Sequence, residues 1–141
     1  MAAFTITVVG TNTLGKIGEV SYVTGKVTFA GETIATTDTF TGDLFVMGSR
    51  TIPVEILDFT LFSTATVPAS LSMQVGNSND ADGFMAASVL TESNQSVRKG
   101  NGALMNTRVN NKAVTMTCAV DAGAGYTGDL VLRFAVRRTN D

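Results

Sequence analysis

The residue types that most often do chemistry are sparse in this chain. Its 141 residues include no His, no Trp and one Cys. That composition excludes every His-dependent triad, Cys/His zinc sites and any disulfide within one chain. Cys118 shares a parity with Met116 and Val120 and alternates with Thr117 and Ala119. A free Cys so placed behaves as a small buried hydrophobe, and no His stands by to activate it. Glu55 and Asp58 have the residue types of a glycosidase pair. Twelve acidic residues offer many such pairs, so this one is not read as a site. With Tyr22 and Tyr126 the only tyrosines and no Trp, aromatic platforms for sugar are scarce.

Three polar segments could bind ions or charged partners. Asn77 to Gly83 offers Asn77, Asn79, Asp80 and Asp82, hard oxygens of the kind calcium prefers. With Ser78 as the first position of an EF-hand loop, the twelfth is Val89 and not an acid. A polar hairpin or contact loop is expected there, with no metal and no cofactor. Gly100-Asn101-Gly102 and Gly123-Ala124-Gly125 lack both a following helix and a Gly-Lys-Ser/Thr sequence, so no nucleotide site is read from them. Arg98, Lys99, Arg108 and Lys112 form a basic stretch with no acid between Glu92 and Asp121. No aromatic lies between Phe84 and Tyr126 to stack on bases, and net charge is −2, so nucleic acid is not an expected partner. The stretch reads as a solvated loop or as a contact for an acidic protein surface. With Asp80 and Asp82 it makes up the candidate interface.

The elements that would position these groups repeat every two residues, the strand period. Leu130, Leu132, Phe134 and Val136 alternate with Val131, Arg133, Ala135 and Arg137. Val114 to Val120 and Leu71 to Val75 alternate likewise. Further strands are expected at Phe4 to Val9, Glu19 to Ala30, Ile52 to Phe62, Phe84 to Leu90 and Leu104 to Val109. Two change phase. Val20 and Tyr22 oppose Val27 and Phe29 in parity, which predicts a β-bulge or a two-residue turn at Gly25. Ile52, Val54 and Ile56 give way to Leu57, Phe59 and Leu61, which predicts a second bulge. Pro53 suits a strand start or edge. Gly/Asn/Asp/Ser clusters between the runs, including Ala122 to Gly128, are turn chemistry.

No apolar period of 3.6 is convincing, no internal repeat occurs and no linker stands out. A hydrophobic share of 44% against 16% charged residues excludes a long disordered chain. Thr occurs 21 times, Gly 14 times and Pro twice. About eight short strands with regular turn signals predict an all-β, single-domain antiparallel β-sandwich over residues 1–141, jelly-roll-like. No stretch approaches a membrane helix, and the N-terminus has no basic, apolar leader, so synthesis in a reducing cytoplasm is expected. Charge is uneven: Glu19 to Glu92 carries nine acids and two bases, while Ser93 to Asp141 carries seven bases and three acids. Either interleaved strands mix these charges, or one copy's acidic face meets another's basic face.

Asn12-Thr13-Leu14-Gly15-Lys16, followed by Tyr22-Val23-Thr24-Gly25-Lys26-Val27-Thr28-Phe29-Ala30-Gly31, resembles small virion structural proteins of tailed bacteriophages. Among these are capsid decoration, or cement, proteins whose sandwich opens with a strand, a turn and a second strand. Ala35 to Phe40 resembles their next turn, with Thr36-Thr37 where Gly-Gly is expected. The resemblance covers about a fifth of the chain and brings no active-site residues. It implies a non-enzymatic part on the capsid exterior, bound to the major capsid protein as a homo-oligomer, a trimer by preference, with no nucleic acid or membrane partner. A tail, collar or fibre component, and a host- or glycan-recognition module, are the alternatives.

Overall fold

A computed structural model of the chain describes residues 2–9, 14–90, 97–121 and 123–139. These residues hold thirteen strands and no helix. In chain order they are β1 (Ala3–Thr5), β2 (Thr7–Val8), β3 (Val20–Thr33), β4 (Thr39–Asp43), β5 (Val46–Met47), β6 (Arg50–Thr51) and β7 (Val54–Ser63). Then come β8 (Ser72–Gly76), β9 (Met85–Val89), β10 (Val97–Lys99), β11 (Arg108–Val109), β12 (Ala113–Val120) and β13 (Gly125–Arg138).

Two sheets face each other. Sheet A has the order β1-β4-β12-β8-β9, and sheet B the order β10-β7-β13-β3-β2, with β11 also on β7. β5 and β6 form a small hairpin. Period-two alternation places one side of each sheet in a shared core. β13 supplies Leu130, Leu132, Phe134 and Val136, each fully buried, and β12 supplies Val114, Met116 and Cys118. Phe134 lies at the centre of an aromatic group, its ring 4.6 Å from Phe59, 5.1 Å from Phe84 and 5.2 Å from Phe45. A second group stacks Phe4 on Phe40 at 4.8 Å and continues through Phe29 to Tyr126. The Tyr126 hydroxyl donates to the Asp129 carbonyl at 2.9 Å, which satisfies its polar end within the core.

The phase change in β7 is the expected bulge. Ala135 pairs with Asp58 and Val136 with Ile56, so Leu57 is the extra residue. Val54 and Ile56 before it, and Phe59 and Leu61 after it, all point inward. Pro53 stands just ahead of this strand, where a missing N–H costs least.

The expectation for Gly25 is overturned. β3 pairs with β13 without a slip from Val20 to Phe29, so Gly25 is neither bulge nor turn. The reason lies in the N-terminal segment, which crosses from one sheet to the other. β1 pairs with β4 in sheet A, Ile6 is buried at the crossing, and β2 pairs with β3 in sheet B. A Cβ at Gly25 would lie 2.8 Å from Ile6 Cγ2 and about as close to the Leu44 methyls. One at Gly42 would overlap the Ile6 carbonyl oxygen. The two glycines make room for the crossing strand. The slip in β3 falls at Gly31 instead, opposite Tyr126 and Thr127, where φ is +92°. Glycine reaches that left-handed conformation without a Cβ clash.

Other boundaries also move. The β1–β4 pair is parallel, an exception to the antiparallel expectation, because the crossing strand enters sheet A alongside β4. Thr39 and Phe40, read as part of a turn, open strand β4. Gly125 to Gly128, read as turn chemistry, belong to β13, which extends to meet the far end of β3. Of Leu104 to Val109 only Arg108 and Val109 form a strand, because the preceding residues wrap over β7. There the Asn106 N–H donates to the Ile56 carbonyl at 2.7 Å, beside the bulge.

Candidate functional site

The Asn77–Gly83 loop satisfies itself. The buried Asn77 side chain accepts the N–H groups of Asn79 at 3.0 Å and Asp80 at 3.1 Å. Its own N–H donates to the Asp80 carbonyl at 3.0 Å. One of the oxygens offered for calcium is therefore committed to the turn. Asp80 and Asp82 lie close together. A hydrogen bond with the Asp82 side chain, then partial desolvation and the like charge beside it, push the Asp80 carboxyl above its ordinary value. Among the described residues, no three His, Cys, Asp or Glu side chains gather around one point.

The candidate interface residues divide between the sheets. Asp80 and Asp82 lie in the loop that leaves β8, in sheet A. Lys112 precedes β12 of the same sheet and pairs with Asp43 at 3.6 Å. Arg108 lies on β11 in sheet B, register-paired with Glu55, and its Nε donates to Thr139 Oγ1 at 3.2 Å. Arg98 and Lys99 are in β10, also in sheet B, opposite Leu61 and Thr60. Residues 108–112 thus pass from one sheet to the other. On the way Asn111 Nδ2 donates to Ser78 Oγ at 2.9 Å, which ties this segment to the acidic loop.

The outer side of sheet A is rich in threonine. Register pairs place Thr5, Thr41 and Thr115 in one row across β1, β4 and β12. Thr117 in the next row accepts a hydrogen bond from Gln74 Nε2 at 3.3 Å. Here a shallow groove of about 320 Å³ is lined by Thr39, Phe40, Thr41, Thr115, Met116 and Thr117 together with Asn77, Ser78 and Ala81. Among the described residues that line it there is no acid and no base. Cys118 is buried, its thiol donates to the Val120 carbonyl at 2.9 Å, and burial pushes its pKa above the ordinary value.

The outer side of sheet B differs in character, and the sequence reading did not single it out. Val20 and Tyr22 are 49% and 72% exposed. Register runs Val20–Arg137–Glu55–Arg108 in one row and Tyr22–Ala135–Asp58 in the next. Thr24–Arg133–Thr60 and Lys26–Val131–Phe62 follow. Arg137 Nη1 donates to Glu55 Oε1 at 2.9 Å, and the Arg133 guanidinium lies 5.4 Å from the Phe62 ring centroid. The usable signal was the parity of Val20 and Tyr22. Without a slip at Gly25 it puts a tyrosine and a valine on the wet side of the sheet.

No family model matches the chain, and no curated protein matches its sequence. Solved structures do match its fold. One is a chain of the cyanophage Pam1 capsid asymmetric unit, 20% identical with a TM-score of 0.65, covering 94% of this chain and 93% of that one. Another is a chain of the capsid of Ralstonia phage GP4, 13% identical with a TM-score of 0.69, over the same shares.

Proposed function

We propose that the chain is a non-catalytic structural protein of a phage virion, and within the virion a decoration protein on the outside of the capsid shell. The observation that carries this reading is the likeness over nearly the whole length of both chains to two proteins from phage capsids.

Stabilisation would come from bridging neighbouring shell subunits, so that separating them re-exposes buried surface. A stable specific contact removes on the order of 800 Å² from each partner. A 14.7 kDa chain has room for few such contacts. A homotrimer, our preferred state, joins several modest contacts into one avid site, and its closed symmetry leaves no open interface. The basic stretch from Arg98 to Lys112, with Arg108, or the acidic loop at Asp80 and Asp82, would lie at a contact with a second copy or with the shell.

The test is to add purified protein to shells assembled without it and to follow sedimentation and heat stability. Saturable binding that raises the disruption temperature is expected. Protein that ignores the shell and labels the tail would replace decoration with a tail role.

A further inference from the structure

We infer that the outer face of sheet B, centred on Tyr22, is the surface that docks on the shell, and that its occupant is an acidic patch of a different virion protein. This rests on the virion reading above. Tyrosine and arginine carry a large share of binding energy at protein interfaces, and here they stand together. Tyr22 is 72% exposed near the start of β3, flanked by Val20 and by the Ala135 side of β13. Lys26, Arg108, Arg133 and Arg137 share the four rows with Glu55 and Asp58. Glu55 is already paired with Arg137, so the face carries a positive excess, bounded one row further by Asp129.

Two physical arguments fix the occupant. Sheet A's side carries Asp43, Asp80, Asp82 and Asp121 against Lys112, so a second copy would also complement the face in charge. The two faces, however, lie on opposite sides of one sandwich. A face-to-back contact between copies relates them nearly by translation and grows into an open stack rather than a closed particle component. Area gives the second argument. Six residues at about 3.4 Å and four strands at about 4.8 Å span roughly 400 Å² in projection, well under the roughly 800 Å² of a stable contact. Such a face holds weakly by itself and suits many-copy attachment to a repeating surface.

The experiment places a photo-cross-linking residue in virions, as Tyr22→p-benzoylphenylalanine and, on the opposite face, Thr117→p-benzoylphenylalanine. Both side chains point outward, so the fold is retained, and circular dichroism of the purified variants checks it. Irradiated particles are digested and the joined peptides sequenced. The expected result is a Tyr22 cross-link to an Asp/Glu-containing peptide of another virion protein, with none from Thr117. In parallel, Lys26→Glu with Arg133→Glu lowers occupancy of the particle at least tenfold. A Tyr22 cross-link to a second copy, or cross-links from Thr117 alone, overturns the docking face and leaves the virion reading standing. Absence of the chain from purified virions overturns the virion reading, and the docking face with it.

Discussion

Substituting Gly25→Ala should destabilise the protein, although the exchange removes a flexible residue from a strand interior. Where space is open, alanine in place of glycine in such a strand gains about 0.5–1 kcal/mol. Here the new Cβ would lie 2.8 Å from Ile6 Cγ2 and 3.1 and 3.2 Å from the Leu44 methyls. Ile6 has little freedom to retreat, since its N–H is bonded to the Thr41 carbonyl at 2.8 Å. Overpacking of this kind costs about 1–3 kcal/mol, so against that gain the net loss should be on the order of 1 kcal/mol. Ile6→Ala alone should cost about 2–5 kcal/mol by opening a cavity in the core. In the double variant the missing Cγ2 leaves room for the new methyl and lets Leu44 relax. The double variant should therefore lose at least about 1 kcal/mol less than the sum of the singles. Urea unfolding followed by tryptophan-free near-UV signal or by circular dichroism measures all three. A Gly25→Ala variant as stable as wild type, or a cycle that is additive within about 0.3 kcal/mol, would refute the crossing-strand account of this glycine.

Phe134→Ala, which empties the centre of the aromatic group, should cost about 3–5 kcal/mol and lower Tm by on the order of 10 °C, read by calorimetry. Cys118 should resist thiol reagents until denaturant is added. Its raised pKa makes a stability contribution that is full below the ordinary value of 9.0 and is lost as pH rises through the folded value, so Cys118→Ala should flatten the decline above pH 9 in urea titrations. Calcium and chelator should give superimposable melting curves, since Asn77 spends its side-chain oxygen inside the loop; a drop of several degrees with chelator would move Asp80 and Asp82 to a metal site.

Much of the fold was legible because strand period and core burial are the same physics. The alternation in β12 named Val114, Met116 and Cys118 as inward, but Val120 of the same parity is 48% exposed, because the register slips between Cys118 and Val120; the parity change in β7 located a real bulge. Long-range placement was hidden. Nothing local to Gly25 says that Ile6 will pass over it, so a phase change that marks two exposed apolar side chains looked like a slip. Strand β4 was hidden for a related reason. Thr39 and Thr41 face outward around a single inward Phe40, too short an apolar pattern to stand out from a turn. The candidate site was less legible than the fold. Charged residues could be named, but their division between two sheets follows from the crossing at residues 108–112. The sheet B face needed register across β3, β13 and β7, which joins residues more than a hundred positions apart.

The most direct test of the virion account is an electron cryomicroscopy map of the phage particle at about 4 Å. The account predicts density for a two-sheet sandwich on the outer surface of the shell, repeated with the shell's symmetry and touching it through the Tyr22 face. Density for this chain confined to the tail, or no such density anywhere on the particle, would contradict it.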